Sequence, residues 1–111
     1  MKKDNDKNMI LMHIASLVAK FSLCEIELFC LCAGTPELEK ACHKFSDAHK
    51  NLNYAIQNIL KNKNTKSLLL HRDAKIYLDK LDDFYCSAAV KDERLKSVIK
   101  DLQEVIRELI S

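Results

Sequence analysis

Apolar residues recur at alternating intervals of four and three positions along most of this chain. This spacing places them on one side of an α-helix and is typical of helices that pack side by side. The first stripe is Ile10, Ile14, Leu17, Phe21, Cys24, Leu28 and Leu31. The second, in which His49 takes an apolar position, is Leu38, Cys42, Phe45, His49, Leu52, Ile56 and Ile59. The third is Leu70, Ala74, Tyr77, Leu81, Phe84 and Ala88, then Leu95, Val98, Leu102, Val105 and Leu109. No segment alternates between apolar and polar residues as a half-buried strand does, so the pattern predicts an all-α fold.

Two short breaks divide these stripes. At the first, Gly34 tolerates the backbone conformation that follows a helix, Thr35 is a capping residue, and Pro36 suits the first helical position. The second break is the polar run at 61–66. Because both connections are short, we expect successive helices to run antiparallel.

A weaker interruption falls at Lys91, where the third stripe requires an apolar residue. Ser87 or Asp92 could cap a new helix there. We therefore predict a single domain over 1–111, an antiparallel up-down bundle of four helices. The predicted helices span about 8–33, 36–61, 66–86 and 91–110. The alternative is three helices with one long C-terminal helix, which at 1.5 Å per residue would extend about 67 Å and overshoot the others.

The first predicted helix differs from the others because it carries a second set of apolar residues opposite its stripe. We name this set the outer face, and it consists of Met12, Ala15, Ala19, Leu23, Ile26, Phe29, Cys30 and Ala33. Between Met9 and Ala33 the only charged residues are Lys20, Glu25 and Glu27. A helix that is apolar on all sides must be buried on all sides, which a plain four-helix bundle does not achieve.

Three arrangements would bury the outer face. The first helix could lie centrally, with the other three wrapped around it. The outer face could instead pack against its own copy in a symmetric homodimer. It could also stay open as a contact surface for another protein, as large exposed apolar patches often do. For the last two arrangements, the expected interface residues are Met12, Ala19, Leu23, Ile26, Phe29 and Cys30.

Composition and charge exclude several classes of function. The chain has 111 residues but only 1 Gly and 1 Pro, so the Gly-rich phosphate loops of Rossmann and P-loop proteins are ruled out. The formal net charge of +2 is too small for a nucleic-acid footprint, and we expect no nucleic-acid binding. Lys20, Glu25 and Glu27 would each cost roughly 2.5–3.5 kcal/mol at a bilayer centre, so no membrane span is predicted.

The cysteines and the N-terminal residues bear on the compartment. The chain has 5 cysteines, an odd number, with no Cys-x-x-Cys pair, so a disulfide framework is not predicted. Asp4 and Asp6 lie among the N-terminal lysines and argue against a secretory signal. We therefore expect a cytoplasmic protein whose thiols act as small hydrophobic groups in a reducing compartment.

Four cysteines are candidates for a chemical site because antiparallel helices would bring them to similar heights. They are Cys24, Cys30, Cys42 and Cys86. Against a zinc site, Cys30 and Cys32 point about 200° apart on one helix and cannot share an ion. His49 is expected to be a core residue with a partner. The chain has neither a Glu-x-x-His nor a His-Glu-x-x-His motif, so we assign no catalytic, metal or cofactor residues and expect no enzyme.

The sequence therefore favours a small non-enzymatic interaction module. Its outer face would bind a partner protein and regulate it as an inhibitor, a chaperone or a scaffold. One alternative is a helical bundle that responds to redox state or metal through the four clustered cysteines. Another is a structural subunit of a helical assembly, which a continuous C-terminal helix would favour.

Overall fold

A computed structural model describes the chain over residues 2–62 and 68–111. Within these ranges all of the regular structure is α-helical and no strand is present, which confirms the all-α prediction. The described residues form five helices rather than four. They are α1 (Lys2–Cys32), α2 (Pro36–His43), α3 (Ser46–Asn62), α4 (Leu68–Tyr85) and α5 (Glu93–Ile110).

The first helix is longer than predicted, because α1 begins at Lys2 rather than near position 8. No Gly or Pro precedes Met9 to stop the helix. The turn after α1 follows the prediction, since Gly34 has a φ of 86°, a left-handed value that a residue with a Cβ rarely adopts. The Gly34 N–H donates to Oε1 of Glu39 at 2.9 Å, and Pro36 opens α2.

The prediction of one continuous helix over 36–61 is wrong, because this segment forms two helices, α2 and α3. The backbone N–H groups of Lys44 and Phe45 bond to carbonyls three residues back, on Ala41 and Cys42, both at 3.2 Å. Such tighter bonds end α2, and the chain starts again as α3 at Ser46. The turn sends the Phe45 ring into the core, where it is 1% exposed.

The C-terminal part also forms two helices, so the alternative of one long helix over 66–110 is wrong. Asp92 is the N-cap of α5, and its side chain accepts a hydrogen bond from the Arg94 N–H at 2.8 Å. Within the connection, Val90 is buried and its N–H bonds to the Ser87 carbonyl at 3.1 Å. The predicted break at 61–66 lies mostly outside the described residues.

Packing of the helices builds one hydrophobic core. α1 packs mainly on α5, α5 on α4 and α4 on α3, while α2 and α3 both contact α1. Each long helix buries most of its apolar stripe in this core, as the fully buried Leu28, Leu52, Leu81 and Leu102 show, while Ile10 of the first stripe is 48% exposed. The molecule is elongated, 53 × 22 × 20 Å, because α1 alone is about 46 Å long at 1.5 Å per residue.

The two sides of α1 should respond differently to the same substitution. Leu28 is 0% exposed and Leu23 is 67% exposed. We expect Leu28→Ala to lower the free energy of unfolding by about 2–5 kcal/mol, because it removes buried methyl groups and leaves a cavity. Leu23→Ala is the matched control on the same helix and should change it by no more than about 0.5 kcal/mol. Urea unfolding measures both, and equal losses would contradict this assignment of the two sides.

Candidate functional site

The outer face is open to solvent, which overturns the arrangement in which the other helices wrap around the first helix. Met12, Leu23 and Ile26 are 72%, 67% and 60% exposed. The smaller members of the outer face are exposed as well: Ala15, Ala19, Cys30 and Ala33. α1 is therefore covered on its inner side by α5, α2 and α3 and leaves a continuous apolar strip on its other side.

Phe29 is less exposed than the other large residues that we expect at the interface. Its ring stacks on Phe45 at a centroid distance of 6.2 Å and meets the edge of His49 at 5.7 Å. It is 38% exposed. Phe29 therefore lies at the border of the outer face, where it joins this surface to the core between α1 and α3.

A buried polar cluster lies behind the outer face. Glu25, on α1, is 6% exposed. Its Oε2 accepts a hydrogen bond from the hydroxyl of Tyr77, on α4, at 2.7 Å. The same oxygen contacts Nδ1 of His49, on α3. A carboxylate only accepts hydrogen bonds, so Nδ1 of His49 is the donor in this contact.

Aromatic rings enclose this cluster. Tyr77 meets the edge of Phe21 at 6.0 Å and lies 5.9 Å from Phe45. Phe45 in turn meets the edge of Phe84 at 5.4 Å. These offset and edge-on contacts are favourable for aromatic pairs and keep water from the carboxylate.

Burial changes the acidity of the tyrosine in this cluster. The pKa of Tyr77 is raised far above its usual value, chiefly because the hydroxyl is buried. The negative charge of Glu25 and the hydrogen bond to it raise this pKa further. Tyr77 is therefore a permanent hydrogen-bond donor to Glu25 at physiological pH.

A pocket of about 340 Å³ opens beside the cluster, between the end of α1, α2 and the start of α3. Its walls include Phe29, Cys32, Cys42, Ser46 and His49. A histidine held by a carboxylate beside a serine or a thiol resembles the base of a catalytic triad. Among the described residues, however, no hydrogen bond joins His49 to Ser46, Cys32 or Cys42, so the nucleophile–base contact of a triad is not formed.

The structure does not gather the four candidate cysteines. Cys30 and Cys86 are exposed, whereas Cys24 and Cys42 are half-buried. Burial and the nearby carboxylate of Asp101 raise the pKa of Cys24. In the described parts of the chain, no three His, Cys, Asp or Glu side chains are close enough together to hold a metal ion.

Two features of this region were not predicted. The side chain of Cys42 interacts with that of Cys32, a residue outside the predicted cysteine cluster. Glu25 was noted only as a charge that disfavours a membrane span, although it follows the stripe residue Phe21 by four positions and so lies on the inner side of α1. The sequence pattern that could have predicted this contact is a carboxylate next to one apolar stripe together with a histidine, His49, inside another.

The chain matches no protein-family model, no curated protein and no solved structure. Among its helices, over residues 2–62 and 68–111, none combines the length and apolar character needed to cross a bilayer.

The raised pKa of Tyr77 predicts a loss of stability at high pH. The unfolded chain releases the tyrosine proton near pH 10, while the native state keeps it. This contribution is fully present below about pH 10, and above it the free energy of unfolding should fall by about 1.4 kcal/mol per pH unit. Urea unfolding between about pH 9 and 11 should show a shallower slope for Tyr77→Phe. Tyr54→Phe, at a site that is 73% exposed, should keep the wild-type slope, and a wild-type slope in Tyr77→Phe would refute the assignment.

Proposed function

We propose that this chain is a small non-enzymatic interaction module, a helical bundle that binds an α-helix of another protein along its outer face and thereby regulates or scaffolds that protein. The observation that supports the proposal is the exposure of Met12, Leu23 and Ile26 on a helix whose opposite side is already buried. An exposed apolar strip of this kind costs solubility in a monomer and is typical of a contact surface.

The spacing within the outer face defines what the partner must look like. Leu23, Ile26, Cys30 and Ala33 follow one another at intervals of three, four and three, which is the seam of a two-stranded coiled coil. Small residues such as Ala19 let a second helix approach closely. The partner is therefore an α-helix with its own apolar seam, not an extended peptide or a nucleic acid.

Charges beside the seam add a second requirement. Lys20 and Glu27 lie one heptad apart on the same border of the outer face. Both are exposed, and Glu27 already forms a solvent-exposed ion pair with Arg94 at 3.3 Å, an interaction that a partner could replace at small cost. A complementary helix would carry an acidic residue opposite Lys20 and a basic residue opposite Glu27, because such flanking charges select partners in coiled coils.

A second copy of α1 meets this description, which makes self-association the second candidate. If two copies run antiparallel with Leu23 facing Ile26 of the other copy, the seam residues interleave along both helices. In that register Lys20 faces Glu27 of the other copy, and the symmetry of the pair repeats this contact. The charge pattern of the outer face is thus self-complementary in one orientation.

Photo-cross-linking tests binding to another protein. A photoreactive residue replaces Leu23 in the full chain, and the matched control replaces Ile76, an exposed apolar residue of α4. In an extract of the source cells, we expect adducts to a helical segment of another protein from position 23 and not from position 76. Adding Ile26→Glu, at a site that is 60% exposed, should weaken them at least ~10-fold while the circular dichroism spectrum is unchanged.

Adducts of equal yield from positions 23 and 76, or adducts that survive Ile26→Glu, would contradict binding along the outer face. Adducts to a second copy alone would leave the outer face as the contact surface and reject the other-protein partner in favour of self-association.

A charge exchange tests self-association. Light scattering coupled to size exclusion, under reducing conditions and over a hundredfold dilution, would show a mass near twice 12.8 kDa. Lys20→Glu or Glu27→Lys alone should lower dimer affinity several-fold by placing like charges opposite each other. The double exchange should restore it. A mass of 12.8 kDa at every concentration, or single variants that dimerise as the wild type does, would exclude the antiparallel dimer.

A further inference from the structure

Two thiols meet at the end of the molecule where α1 turns into α2. Cys32 is the last residue of α1, and Cys42 lies near the end of α2. The turn at Gly34, held by its N–H bond to Glu39, folds α2 back so that the side chains of Cys42 and Cys32 interact and line one pocket. Each therefore has the other as its immediate neighbour.

A pocket beside the two cysteines is open to solvent. Cys32 is only 2% exposed, but it and Cys42 line the same pocket of about 340 Å³. The pocket opens to solvent and has His43 and Glu39 on its wall. Its volume is more than ten times the roughly 30 Å³ that a water molecule occupies in the liquid, so a molecule as small as hydrogen peroxide fits inside.

We propose that Cys32 and Cys42 form a reversible disulfide when the protein meets a peroxide. The Cys32 sulfur attacks one peroxide oxygen, the O–O bond breaks, and the products are a Cys32 sulfenic acid and one water molecule. The Cys42 sulfur then attacks the sulfenic sulfur, and the hydroxyl leaves with the Cys42 proton as a second water molecule. Two thiols are oxidised by two electrons, and hydrogen peroxide is reduced to two molecules of water.

The acidity of the two thiols agrees with these roles. The pKa of Cys32 is lowered, chiefly by its side-chain interaction with Cys42. The pKa of Cys42 is raised by the same interaction and by burial. These directions suit Cys32 as the attacking thiol and Cys42 as the resolving thiol.

The remaining cysteines are placed for other roles. Cys30 lies on the outer face and points about 200° away from Cys32, since it is two residues away on the same helix. Burial raises the pKa of Cys24, which slows its reaction. The disulfide thus differs from the redox site predicted from the sequence, and it does not depend on what binds the outer face.

Peptide mapping tests the disulfide directly. In the full chain with Cys24, Cys30 and Cys86 replaced by Ser, only Cys32 and Cys42 remain. After hydrogen peroxide treatment and alkylation of free thiols, trypsin separates the two cysteines into Phe21–Lys40 and Ala41–Lys44. We expect these peptides as a linked pair, more than tenfold enriched over the untreated protein, and two separate alkylated peptides after dithiothreitol. Adding Cys32→Ser should abolish the pair.

The wild-type chain is mapped in parallel, so the test does not depend on the folding of the triple variant. There too the Cys42 peptide should be linked to Phe21–Lys40, with fragment ions that place the link at Cys32 and not at Cys24 or Cys30. A Cys42 peptide that remains alkylated, carries sulfinic or sulfonic acid, or is linked to the Cys86 peptide instead would refute the proposal.

Discussion

A buried carboxylate constrains how the helices of this protein are arranged. Glu25 is on the core side of α1 and is 6% exposed, and removing a carboxylate from water costs several kcal/mol unless other groups donate to it. The donors come from two other helices, His49 on α3 and Tyr77 on α4. Glu25 can accept both hydrogen bonds only when α3 and α4 lie at one rotation about their axes and one height along α1. The helix interruption at Lys44 and Phe45 contributes to this cluster, because the Phe45 ring packs against Tyr77.

The same constraint determines which side of α1 stays open. With Glu25 and the apolar stripe turned towards α3, α4 and α5, the outer face cannot reach the core. Rotating α1 to bury Leu23 and Ile26 would expose Leu28 and leave the carboxylate without its donors. The exposed apolar surface is thus a consequence of a polar contact inside the molecule. Phe29 connects the two regions, since it borders the outer face and also packs on Phe45 and His49.

The intervals between apolar residues predicted much of the fold from the sequence. They gave the all-α class, the apolar stripe of each helix and the position of the outer face. Local chemistry predicted the turn at Gly34 and named Asp92 as one of two possible caps, with Ser87, because a positive φ and an N-terminal N–H each select their residue types. It did not predict the end of α2, since no Gly or Pro lies near Lys44, where the backbone N–H groups bond to carbonyls three residues back.

The sequence by itself thus determined which residues share a side of each helix, since that depends only on the helical repeat. Only the tertiary structure decided which residues meet across helices. Glu25, His49 and Tyr77 are far apart in the chain, and their contact depends on the rotation and depth of three helices. Cys42 meets Cys32 rather than Cys30 for the same reason, because the folding back of α2 decides which side of α1 it approaches. The spacing of apolar residues does not say which side of α1 another helix contacts. Side-chain packing and the burial of one charge determine that contact.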